Sequence, residues 1–145
     1  MASAAPVAGR AVADLLNSVA GLVVLAGCGL LVLLRFALLW LGLCLGLVAK
    51  GPESVVALQI LVWPLGFLSN VFVSPGTMPG WLGTIADANP LSATAAAVRD
   101  LLGNPGWHTG SWFDDNALLL AVLWPTVGIA VFLPLSVRRY RRLSR

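Results

Sequence analysis

Few side chains in this sequence could do chemistry, and their spacing argues against catalysis. His108 is the single histidine, in the loop GNPGWHTGSWFDDN. Nucleophilic catalysis or a metal centre needs further groups at matched spacing, and Asp87, Asp100, Asp114 and Asp115 read as surface or capping carboxylates instead. Gly46 to Gly51 is the nearest approach to a phosphate loop, but Pro52 stands where its lysine belongs, so no phosphate cradle is expected. No cofactor is expected, and an enzyme is the weakest functional reading. Cys28 and Cys44 lie inside apolar runs and read as small packing residues rather than a disulfide. Three polar side chains within or beside the apolar runs remain as candidate functional residues: Gln59, Asn70 and Arg99. Polar groups at membrane depth are expensive and tend to be functional.

The elements that must position these residues are those of a membrane protein. Of the 145 residues, 59% are hydrophobic and only 10% charged, against roughly 25% charged in a soluble domain. Such a chain cannot clothe a water-soluble globule, and a net charge of +3 is no nucleic-acid signature. The predicted class is an all-α integral membrane protein of about four spans, at 15–34, 37–49, 54–74 and 117–137, forming a single membrane domain. The first run is uncharged over 20 residues, about 30 Å as a helix, which matches the hydrocarbon core. It lacks the charged start of a signal peptide and is expected to be retained. Arg35-Phe36 interrupts the next stretch. A tight turn there would bring Arg35 to water and give four spans. One long tilted helix would give three and leave a central arginine costing roughly 2.5–3.5 kcal/mol. The turn is the preferred reading. Gly42 and Gly46 offer a spacing at which two helix backbones can approach, although glycine is abundant throughout. The third run carries Pro64 and Gly66 in its middle, and neighbouring helices are expected to repair the kink.

Between the third and last runs the chain breaks at Pro75, turns through Gly76, Pro79 and Gly80, and restarts at Asn89-Pro90. Asn89 is a good N-cap and Pro90 suits a first helical position. The helix 90–102 would carry an apolar stripe of Leu91, Ala95, Val98 and Leu102, with Arg99 and Asp100 on its other side. Neither piece can span a bilayer. A short external re-entrant hairpin at 78–103 is therefore expected, with Trp81 at headgroup level. Asp114, Asp115 and Asn116 should cap the last helix, which Pro125 and Pro134 bend. The six tryptophans (40, 63, 81, 107, 112 and 124) read better as an aromatic belt than as a stacking site for a drug.

Five of the nine basic residues fall in the final eight, RRYRRLSR. Such a cluster marks the cytoplasmic side. Counting spans backwards places Lys50 and Arg10 inside and Arg35, Arg99 and the hairpin outside, with both termini cytoplasmic. The one-helix alternative puts the N-terminus outside.

The order FLSN (67–70), TMPGWL (77–82), NPLS (89–92) and AVRDLL (97–102) resembles the last third of a type 2 ATP-binding-cassette (ABC) exporter permease of the daunorubicin/doxorubicin-resistance branch. The resemblance covers most of the chain, and Pro6 to Leu16 looks like the entry to the third span of that family. It implies a bacterial plasma-membrane permease that moves a hydrophobic drug-like, lipid or polysaccharide substrate outward, with Gln59, Asn70 and Arg99 as candidates for its transport pathway or gating. It also implies a separate ABC ATPase subunit and a homodimer or a pairing with another permease. Two family spans with a coupling helix would precede Met1, and a loop and helix would stand at Arg35-Phe36. The ATPase-contacting element is therefore expected to be largely missing. The alternative reading is a truncated, non-transporting membrane fragment or a small helical assembly partner.

Overall fold

The computed structural model describes residues 4–49, 51–104, 106 and 110–143. Every regular element among them is helical: α1 (Ala4–Val48), α2 (Pro52–Phe67), α3 (Gly80–Asp87), α4 (Pro90–Leu101), α5 (Trp112–Asp115) and α6 (Ala117–Leu143), with a 3-10 turn at Pro75–Thr77.

The turn expected at Arg35 does not occur. Helix α1 runs unbroken for 45 residues, about 68 Å, and the one-helix alternative is what the chain adopts. The reason lies in the residues flanking Arg35. None is a Gly or Pro that would end a helix, and arginine is itself a good helix former. Leu34 and Ala37 are buried, and Ala37 Cβ lies 3.7 Å from the Cβ position of Gly128 on α6. The α1–α6 interface thus passes straight through the position of the expected turn, while Arg35 projects outward and is exposed.

Helices α1 and α6 run in the same direction. Leu30 packs with Ala117 and Ala121 at one end, and Arg139 Nε donates to the Leu47 carbonyl, 3.4 Å away, at the other. The two ends of the described chain therefore lie on opposite sides of the bundle. This replaces the expectation that both termini share the cytoplasmic face. It also leaves the first part of α1 beyond the start of α6, where Val12, Leu15, Leu16, Val19 and Leu22 are all exposed.

Helix α2 carries the chain back. It ends at Phe67 rather than continuing to residue 74, and 16 residues make only about 24 Å. Two side chains draw the backbone out of helical bonding. Ser69 Oγ donates to the Gly66 carbonyl at 2.6 Å, and the Asn70 N–H donates sideways to Ser92 Oγ. Serine hydroxyls compete for the backbone in this way where helices end.

Helices α3 and α4 follow, about 12 and 18 Å long, over the stretch where the hairpin was expected. The Asn89 side chain accepts the Leu91 N–H at 3.0 Å, with Pro90 at the first helical position. Asn89→Ala should cost about 1 kcal/mol, read as a lower unfolding temperature in detergent. Helix α4 wedges between α1 and α6. Its buried face is Ser92, Ala93, Thr94 and Ala97, not the predicted stripe, of which Leu102 is exposed and the other three are half-buried. Small side chains let the backbones close in: the Cβ position of Gly27 on α1 lies 3.7 Å from Val98.

Ser111 caps the short helix that precedes α6. Its hydroxyl accepts the Asp114 N–H and starts α5. Asn116 then supplies the carbonyl to which the Leu120 N–H donates. Pro125 is fully buried, and α6 remains continuous through it and Pro134.

Candidate functional site

Two of the three candidate polar residues meet. Asn70 follows the end of α2, and Arg99 lies in the last turn of α4. Arg99 Nη2 donates to the Asn70 side-chain oxygen at 2.9 Å and to its main-chain carbonyl at 3.1 Å. The Asn70 N–H donates to Ser92 Oγ at 2.9 Å. Ser92 and Arg99 are seven residues apart, two helical turns, and so share one face of α4. Asn70 is only 2% exposed, and three of its polar atoms are held by that face.

The chain beyond α4 closes over Arg99. Gly103 takes φ +68°, its N–H donates to the Asp100 carbonyl at 3.1 Å, and the Asn104 N–H donates to the Arg99 carbonyl at 2.9 Å. This is a Schellman ending, which needs a left-handed residue at the position of Gly103. It returns the backbone so that Gly106 lies on the guanidinium: a Cβ there would fall 3.2 Å from Arg99 Cδ and 3.3 Å from Cζ. Gly103→Ala should destabilise this end by about 1 kcal/mol, seen as faster proteolysis between α4 and α5.

The third candidate stands apart. Gln59 is exposed on α2 and lines a groove of ≈ 350 Å³ with Gly42, Gly46 and Trp63. Nothing lies within 4 Å of the Cβ positions of Gly42 or Gly46, so their spacing serves no close helix contact among the described residues. Cys28 is exposed and Cys44 half-buried, and both are free thiols. Exposure at Cys28 corrects the reading of it as a packing residue. His108, Trp107 and Lys50 lie outside the described residues.

A second cavity has no forerunner in the sequence reading. Between α1 and α6, under Pro90, lies an apolar groove of ≈ 330 Å³ walled by Leu34, Leu41, Trp124, Val131 and Phe132. Trp124 faces this groove, whereas Trp63, Trp81 and Trp112 stand well exposed. Sequence reading also missed Ser92 and Gly106. The seven-residue spacing of Ser92 and Arg99 was the available signal for the first, and Gly106 carried none.

Long apolar helices, closed at one end by short helices around a buried polar latch, define an all-helical integral membrane protein. The chain belongs to the ABC-2 type transporter family, whose model matches residues 16–102. It is 43% identical over 113 residues to the daunorubicin resistance ABC transporter permease protein DrrB1 of Streptomyces coeruleorubidus. That alignment takes in 77% of this chain and 37% of the relative, so the chain spans little more than a third of the relative's length. No solved structure matches.

Proposed function

We propose that this chain is a membrane-spanning part of an ATP-driven exporter in a bacterial plasma membrane. In this reading it moves a hydrophobic drug-like, lipid or polysaccharide substrate outward. A separate ABC ATPase hydrolyses the nucleotide, and a second permease chain, identical or related, completes the pathway. The observation that carries the reading is that the family match contains both halves of the latch, Asn70 and Arg99, and ends at Leu102, directly after α4. The named relative supports an anthracycline as first substrate to test.

The arginine cluster at the end of α6 is taken as cytoplasmic, which puts α3, α4 and the start of α1 outside. Helix α4 then plugs the outer mouth between α1 and α6. Any outward opening that shifts α4 against α2 has to break the Arg99–Asn70 bonds, so the latch acts as a gate. The apolar groove beneath Pro90 suits a greasy substrate by chemistry.

The test is co-expression with a cognate ABC ATPase and measurement of anthracycline fluorescence retained in cells. The expected result is energy-dependent loss of fluorescence and recovery of the ATPase with the purified chain. Unchanged accumulation with no ATPase recovered would sink the export role. One observation favours a second reading, a non-transporting fragment or small assembly partner: the exposed apolar start of α1 lacks cover within this chain. That reading predicts that deleting the chain leaves export of every toxic compound unchanged.

A further inference from the structure

We propose that the groove at the end of α6 binds the phosphodiester headgroup of an anionic phospholipid. Its walls are Leu135, Arg138, Arg139 and Arg142, and it encloses ≈ 500 Å³. The spacing of these residues (0, 3, 4 and 7) places them on one helical face. Leu135 belongs to the apolar part of α6, and the arginines begin immediately after Val137. The groove therefore straddles the boundary where an acyl chain gives way to a headgroup.

Two further observations favour a phosphate there. Arg138 and Arg142 stand four residues apart, where like charges destabilise a helix, and an anion between them removes that repulsion. Arg139 is oriented, because its Nε is engaged by the Leu47 carbonyl of α1, leaving its two terminal nitrogens as a fork. Guanidinium forks match phosphate oxygens in a way a lysine ammonium does not. The C-terminal end of a helix carries partial negative charge, so the backbone itself repels an anion and the affinity must come from the arginines. A bound lipid would also tie α6 to the end of α1 through Arg139. This inference needs only that the chain is membrane-embedded and is independent of the export reading.

The test is native mass spectrometry of the full chain in neutral detergent, titrated with phosphatidylglycerol or phosphatidylcholine. The charge-matched double variants R138Q/R142Q and R10Q/R141Q are compared, with circular dichroism confirming helix content in each. The wild type is expected to retain one phosphatidylglycerol about tenfold more tightly than phosphatidylcholine. R138Q/R142Q should lose that preference, R10Q/R141Q should keep it, and inorganic phosphate should not displace the lipid. Equal loss in both doubles, or no preference in the wild type, overturns the site. So does recovery of an ATPase that depends on Arg138 and Arg142 while lipid preference is absent, which would assign the groove to a protein partner.

Discussion

In the exporter reading Arg99→Ala should abolish export, and it should lower the stability of the chain in detergent by about 2–3 kcal/mol. The substitution removes both bonds from Nη2 to Asn70, at 2.9 and 3.1 Å. It leaves a buried side-chain oxygen and a main-chain carbonyl with no charged donor. Leaving such groups unpaired costs more than the net worth of the bonds themselves. Arg99→Lys should recover only part of the loss, because the lysine ammonium stands closer to its own backbone than Nη2 does and lacks the planar pair of N–H groups that Nη2 directs at the two oxygens. Asn70→Asp keeps the acceptor, gains an opposite charge and should be tolerated. Asn70→Ala retains the carbonyl contact and should cost less than Arg99→Ala. A double-mutant cycle separates the latch from generic loss of packing: coupling of about 1 kcal/mol or more between the two sites is expected. Additive effects would mean that the two residues act independently, and the gate would have to be sought elsewhere.

Enlarging the small-residue core should be nearly as damaging. Ala97 is 1% exposed and Ala121 is 0% exposed, and both belong to the cluster in which α4 meets α1 and α6. Leucine at either position adds three carbons to a space that only small residues fill. Overpacking of this kind costs about 1–3 kcal/mol. In the exporter reading it also pushes α4 off its seat, so the outer mouth should leak or fail to close. Ala95→Leu, on a half-buried position of the same helix, should be close to neutral. Thermal unfolding of the three variants in one detergent decides the matter. Equal sensitivity at positions 95 and 97 would show that α4 is not wedged as described.

The all-α membrane class and the last long helix were legible from uncharged runs, because lipid leaves no other way to satisfy a backbone. Asn89 and Pro90 announced the start of α4 through capping chemistry that acts within a few residues. The continuity of α1 was not legible. Its decision rests on Leu34 and Ala37 packing against a helix some ninety residues later, and the insertion penalty of Arg35 argued the other way. The end of α2 was misjudged for a related reason: Asn70 looked like a polar residue within a helix, and only Ser92 across the interface shows where the Asn70 N–H goes. On α4 the stripe of larger side chains drew attention from the alanines and hydroxyls that actually bury, since small residues gain their value from close backbones and not from their own area. The latch was half legible. Asn70 and Arg99 stood out as polar groups in apolar company, Gln59 stood out equally, and nothing local distinguished the pair that meets.

The placement of the α3–α4 hairpin across the bilayer from the arginine cluster is tested most directly by cysteine labelling in intact cells. In a background with Cys28→Ala and Cys44→Ala, single cysteines would replace Ile85 on α3, 49% exposed, and Tyr140 on α6, 66% exposed. A membrane-impermeant maleimide should label I85C in intact cells and reach Y140C only after permeabilisation. Labelling of both, or of neither, before permeabilisation would place the hairpin and the cluster on one face and contradict the architecture.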